Sequence, residues 1–358
     1  MNVGGYAASL SAPFDAGLVA AGDDVLVLTA TYTISSSLSI VTGTINDLVS
    51  IIGVNSSGVN DGSMATITTA STLANGLLDY TTTSIDYTYL ENLILDGGGA
   101  GKAEHCIYNN NDTSNNNVLV NCQLTNADNH GAVLGSSVHS TGWKFIGCEV
   151  DNNGVGVAGG GGLIGRASGI RFTGNILDCN IHDNEGDGIL AGQDEVLISR
   201  NRVYSNTGIG INLEAGAIRA VVTYNMCYGN GGAGIRCDAD ATDLTMYNNT
   251  SSGNTGVGYD IDGRSNPMEY FGNNHSHNNT GTPATGHCSE TASDAEWLAF
   301  GNNDNIIGDP LFVNAGSDDF RLTSASPLYD STTGELIGVL GPEAAGGGGM
   351  LINGGLLI

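Results

Sequence analysis

Glu214, Asp238 and Asp262 each stand three residues after a β-prone residue (Ile211, Ile235 and Tyr259) and recur at intervals of 24. If equivalent positions stack at the ordinary strand spacing, these carboxylates form a column about 5 Å apart. Such a column permits two chemistries. Carboxyl pairs about 5 to 5.5 Å apart suit a retaining glycosidase, and wider pairs an inverting one. Alternatively, the oxygens of Asp238, Asp240 and Asp262 would hold calcium. Asp194 and Asp240 read as a neighbouring column with Arg264. The plainest alternative is a solvated acidic ridge, because carboxylate clusters often prove structural. A second set is His275 and His277 with His287 and Cys288. These are zinc-ligand types, but their spacing matches no strong template. His275 also reads as part of the column of Val203 and Cys227, which makes it partly buried.

What would stack these residues is a repeated phrase: Asn, one residue, Gly, one residue, Gly, then a β-prone residue. It occurs at Asn152–Val157, Asn184–Ile189, Asn206–Ile211, Asn230–Ile235 and Asn254–Tyr259, with steps of 32, 22, 24 and 24 residues. Asn201, Asn225, Asn249 and Asn273 form a second column at a spacing of 24. Short β-prone runs precede each, such as Val196-Leu197-Ile198 and Val221-Val222-Thr223, and no helical periodicity of useful length occurs. A unit of this length with three short strands is one rung of a parallel β-helix. Ile198, Val222 and Met246 then form one inward column, and Ile209, Ala233 and Val257 another. Asparagine at a corner tolerates a left-handed backbone and bonds the next amide in its column. Glycine at fixed offsets supplies unusual φ values at the bends. The expected fold is all-β, a single coil of about 10–12 rungs over 24–330. An N-terminal cap over 1–23 contains a short helix near Ser9–Ala21, with Ser11 as its N-cap and Pro13 in its first turn.

On these residues the chain resembles the right-handed parallel β-helix, or pectate-lyase-like, superfamily over about residues 24 to 330. Asp24–Leu28 followed by Thr31–Ile34 looks like a first rung. Asp309-Pro310-Leu311-Phe312 with Asp319–Leu322 looks like a closing one. The resemblance implies fold more strongly than activity, since this fold hosts lyases, hydrolases, epimerases, adhesins and viral spikes. The Arg-x-Pro-x-x-Arg phrase of pectate lyases and the Asp-Pro-His epimerase signature are absent. Of the polygalacturonase phrases only paired aspartates occur, at Asp23-Asp24 and Asp318-Asp319. Gly286-His287-Cys288 is a partial likeness to another.

The net charge is −27, and Lys102 and Lys144 are the lysines. That balance argues against nucleic acid and anionic membrane surfaces as partners. No run of 18 apolar residues suggests a membrane span. No basic region followed by an apolar core marks an export signal. The seven cysteines are expected as reduced core thiols. Residues 331–358 form a glycine-rich tail ending in Met350-Leu351-Ile352-Asn353-Gly354-Gly355-Leu356-Leu357-Ile358, suited to docking on a sheet edge or a partner's groove. Such tails resemble those of bacteriophage structural proteins.

Two functions follow as expectations. One is a virion structural protein, a capsid decoration protein or a tail spike or fibre. It would be made in the host cytoplasm and assembled as a homotrimer with capsid or tail proteins, with calcium the one cofactor considered. The alternative is a polysaccharide lyase or glycoside hydrolase acting on acidic or cell-surface glycans at Glu214, Asp238 and Asp262. A non-catalytic glycan-binding module is disfavoured by an aromatic content of 6%.

Overall fold

The computed structural model describes residues 19–80, 86–109, 116–134, 142–156, 161–165, 174–192, 194–214, 217–238, 240–261, 268–280 and 305–328. Three parallel sheets run the length of a coil. Sheet A has ten strands, from Asp24–Leu28 to Tyr270–Gly272. Sheet B has eleven, from Thr31–Ile34 to Ile306–Ile307, and sheet C nine, from Leu38–Ser39 to Tyr259–Asp260. Each strand pairs with its equivalent one rung away, so the expected parallel β-helix is present with ten turns of sheet A among the described residues. The expected N-terminal helix near Ser9–Ala21 falls outside the described residues up to residue 18, and Val19–Ala21 are not helical; the glycine-rich tail lies outside the described residues.

Register follows the apolar pattern. Ile198, Val222, Met246 and Phe271 stand one above another and are buried in a single continuous core. The core is closed at its corners by two files of buried asparagines. One file is Asn201, Asn225, Asn249, Asn274 and Asn305; the other is Asn153, Asn184, Asn206, Asn230, Asn254 and Asn279. Asn201 Nδ2 donates to Asn225 Oδ1 at 3.0 Å, and the Asn201 backbone N–H donates to the same oxygen at 3.0 Å. Asn206 makes the same pair of bonds to Asn230. Each amide thereby satisfies a backbone donor that a tight bend would leave unpaired.

Three sequence expectations change here. Asn274, not Asn273, belongs to the first file, and Asn153, not Asn152, to the second. Asn152 and Asn273 instead take φ of 53° and 55°, one residue before the file member. Arg200, Tyr224 and Asn248 do the same, so the left-handed backbone and the side-chain amide are adjacent residues with separate roles. Glycines 188, 210, 234 and 258 are needed for space rather than for φ. A Cβ on Gly210 would lie 2.6 Å from the Gly234 carbonyl oxygen and 2.9 Å from Asn230 Nδ2.

In earlier rungs the first corner is filled differently. Leu93, Cys122, Cys148 and Cys179 occupy the positions that Asn201 continues, as the register of the flanking strands shows. The six described cysteines are buried and form no disulfide among the described residues, as expected; Cys288 lies outside the described residues. Near the C-terminus, Phe312–Asn314 and Asp319–Leu322 form an antiparallel hairpin, not a closing rung. Phe320 packs on the outer face of sheet B, its ring 4.9 Å from Tyr204 and 5.2 Å from Tyr228.

Candidate functional site

Sheet C and the corner that follows it carry most of the candidate residues. Glu214 and Asp238 leave strands Ile211–Leu213 and Ile235–Cys237 at equivalent points, on consecutive rungs. Their backbone N–H groups donate to Ala191 O and Leu213 O. Both side chains are partly exposed. Asp262 and Arg264 lie outside the described residues. Arg236 stands 3.9 Å from Asp238 and 3.9 Å from Asp260, and it screens this part of the column. Asp240 is exposed, and its backbone N–H donates to Asp238 Oδ1 at 3.2 Å. Asp194 aligns with Ile218 and Thr242 rather than with Asp240, as the Leu197–Val221 register and the Ile218–Thr242 bridge fix. It faces Arg219 at 3.4 Å. Among the described residues no group of three or more His, Cys, Asp or Glu is placed to hold a metal ion, and Asp238 and Asp240 belong to none.

His275 is displaced by one position from its expected column. It aligns with Thr250 and Met226, while Ser276 aligns with Ser251 and Cys227. The extra residue in this rung that moved the asparagine file to Asn274 also moved the histidine. His275 therefore faces outward, yet it is buried, because the chain at Gly308 crosses it and accepts a 2.6 Å bond from Nε2. Burial pushes its pKa down to about 4, which keeps the ring neutral. Its ring lies 6.3 Å from that of His277; His287 and Cys288 lie outside the described residues.

A cluster that sequence reasoning missed sits on the outer face of sheet C in earlier rungs. Strands Leu73–Asp79, Ala103–Asn109 and His130–Leu134 run side by side, with Gly76 level with His105 and His105 level with His130. The imidazoles of His105 and His130 stack 5.3 Å apart and 5° from parallel. Tyr108 stacks on His105 at 4.9 Å. His130 Nδ1 accepts the Gly161 N–H at 2.8 Å, which in the neutral ring leaves the proton on Nε2. His105 is 4% exposed, and its Nδ1 has no hydrogen-bond partner among the described residues. Burial, then the neighbouring His130, pushes its pKa down to about 3. Burial also raises the Tyr108 hydroxyl, with Glu104 and Asp79 adding to the effect. Glu104 lies 3.8 Å from His105 Nε2, and Asp79 accepts a 2.8 Å bond from Asn75. The available signal was spacing: His105 and His130 are 25 residues apart, close to one rung, in a stretch without the asparagine–glycine phrase.

A family model described as a right-handed beta helix region matches residues 137–296. Comparison by sequence with curated proteins finds no match. Among solved structures, pectate lyase Pel9A aligns with a TM-score of 0.59 at 17% identity, over 94% of this chain and 91% of that chain. The mannuronan C-5 epimerase AlgE4 A-module of Azotobacter vinelandii aligns at 0.54 and 14% identity, over 75% and 71%. At such identities the likeness concerns the path of the backbone alone. Taken with the three stacked sheets, it makes the fold of this chain a right-handed parallel β-helix.

Proposed function

We propose that the chain is a virion structural protein of a bacteriophage, a capsid decoration protein or tail spike, that works as a homotrimer of coils packed side by side. The observation that carries this reading is the outer face of sheet A. Val118, Val120, Ile146, Leu177, Leu197 and Val221 point outward from neighbouring strands and are partly exposed. This apolar stripe, interrupted by Lys144 and Asn175 between Val118 and Leu197, suits burial against a like face on so acidic a chain, since grouped apolar surface marks contact sites. The coil would serve as a stiff rod, its polar corners satisfied internally by the asparagine files. Light scattering at micromolar concentration tests the trimer. A trimer mass is expected, falling to a monomer in Ile146→Asp; a monomeric parent protein would refute the assembly.

A second reading is glycan cleavage at the acidic corner, favoured by the stacking of Glu214 on Asp238. Glu214→Gln and Asp238→Asn would then abolish turnover of acidic or neutral polysaccharides. Failure of the parent protein to turn over any of them would end this reading.

A further inference from the structure

We propose that Tyr224, Tyr247 and Tyr270, on the last described rungs of sheet A, form a binding subsite for one neutral sugar residue of a glycan. This goes beyond the particle reading: the patch begins where the apolar stripe ends at Val221, and it needs no second copy of the chain. The three rings come from consecutive rungs. Tyr247 and Tyr270 stand on the outer face of sheet A, and Tyr224 stands at the corner that follows it. All three are partly exposed. Tyr247 lies 5.8 Å from Tyr224 and 6.0 Å from Tyr270, with its plane at 77° and 80° to theirs. Gly272 sets this arrangement. It occupies an outward position one rung after Tyr247, yet it is buried. A Cβ there would lie 2.8 Å from Tyr270 Oη and 3.1 Å from its Cζ. The Tyr270 ring therefore runs along its own strand, across the space a side chain at 272 would fill. It makes a floor, and Tyr247 stands beside it as a wall. A ring laid open in this way packs against the C–H face of a pyranose.

Polar groups rim this floor without spending their bonds on the protein. The hydroxyls of the three tyrosines, Thr245 level with Tyr270, and Asn273 next to Gly272 make no side-chain hydrogen bond among the described residues. Thr245 and Asn273 are partly exposed. The buried Tyr259, by contrast, donates its hydroxyl to Asn249 O at 2.9 Å. Each of the rim groups both donates and accepts, as sugar hydroxyls require. Neither outward column of sheet A carries a charge from Leu197 and Ser199 through to Tyr270 and Gly272. Arg200, at the corner one rung before Tyr224, is held by both oxygens of Asp178 at 2.7 and 2.8 Å. Glu269, beside Tyr270, is exposed. The patch thus suits a ligand that is apolar on one face, hydroxylated at its rim and uncharged, and a neutral sugar residue is all three. Uronates and sulfated sugars would meet the field of a chain that carries −27.

The test is a glycan array carrying neutral and anionic oligosaccharides, followed by calorimetry of the full chain with the best neutral one. Binding of a neutral glycan is expected. Tyr270→Ala should weaken it about tenfold. Gly272→Ala should weaken it by a similar factor, because the new methyl tips the Tyr270 ring out of place while every ring is kept. Tyr270→Phe, which keeps the floor and loses one hydroxyl, should weaken it less. Tyr108→Ala, which removes a partly exposed ring from sheet C, should leave it unchanged. Circular dichroism and melting temperature separate loss of binding from loss of fold, and light scattering follows the mass of each variant. Four results would overturn the proposal: no neutral glycan bound, binding confined to anionic glycans, full affinity retained in folded Tyr270→Ala and Gly272→Ala, or a fall in oligomeric mass in Tyr270→Ala, which would give the patch to a second copy. A monomeric protein that binds a neutral glycan through these tyrosines would refute the trimer and leave the subsite standing.

Discussion

The rungs before and after residue 200 share one backbone and fill its first corner in opposite ways. In the later rungs the corner is a file of amides, Asn201 to Asn305, each held by its neighbours. In the earlier rungs it is leucine and thiols, Leu93 to Cys179, whose sulfurs bond to carbonyls, such as Cys179 to Leu177 O at 3.3 Å, and, for Cys148 and Cys179, to each other. The later half repeats nearly without variation; the earlier half has longer strands, irregular steps and the histidine cluster. Where the corner is amide-built, every rung must conform. Where it is apolar, a rung tolerates a bulge such as that between Leu73 and Gly76. A bulge re-aims side chains, and the histidine cluster lies beside one.

Breaking one amide should expose the contrast most sharply. Asn225→Leu removes bonds to Ile198 O and Asn249 Oδ1 and strands the donors of Asn201. A loss of about 4 kcal/mol is expected from urea unfolding, given about 1–3 kcal/mol for each buried group left unpaired. A loss below about 1 kcal/mol would mean that the file is ornamental.

Acid should strike both halves. His275 and His105 titrate near their ordinary value of about 6.5 when unfolded. In the folded chain they are pushed down to about 4 and about 3. The unfolded chain therefore binds protons first as pH falls, and stability drops from about pH 6.5 down to the folded values. For His275 the loss is on the order of 3 kcal/mol, read as a falling melting temperature. His275→Asn should flatten the part of the fall above pH 4, and an unchanged profile would contradict its burial in neutral form.

The junction of the two corner types offers a finer test. The Cys179 backbone N–H already donates to Asn201 Oδ1 at 2.9 Å. Cys179→Asn should thus extend the file by one member and change stability by less than about 1 kcal/mol. Asn201→Cys, one rung on, should cost clearly more. Equal effects would show that corner chemistry does not distinguish the halves. The smallest effect belongs to Arg236→Ala. Its two 3.9 Å contacts are solvent-exposed, so a change of no more than about 0.5 kcal/mol is expected in denaturant midpoints.

The coil, its register in the later rungs and the stacking of Glu214 on Asp238 were legible because 24-residue steps leave side chains superimposed. Where a rung gains one residue, counting by 24 slips by one: Asn273 was read for Asn274, and His275 was assigned inward. The outer covering of His275 was not legible at all, since Gly308 reaches it across more than 30 residues. The cluster at His105 escaped because its stretch lacks the repeated phrase. Its outward direction depends on a bulge, which a count of spacings does not reveal.

The side-chain amides of both files donate toward the higher-numbered rung, from Asn201 to Asn225 to Asn249 and from Asn206 to Asn230 to Asn254. The two ends of a file thus have unlike requirements. A turn added ahead of the first amide need supply only a main-chain N–H, which any residue but proline possesses, and a main-chain carbonyl; Cys179 and Ile176 meet those demands for Asn201. A turn added behind the last must bring a carbonyl oxygen on a short side chain. Lengthening of such a coil by duplication should therefore be permissive at its leading end and demanding at its trailing one.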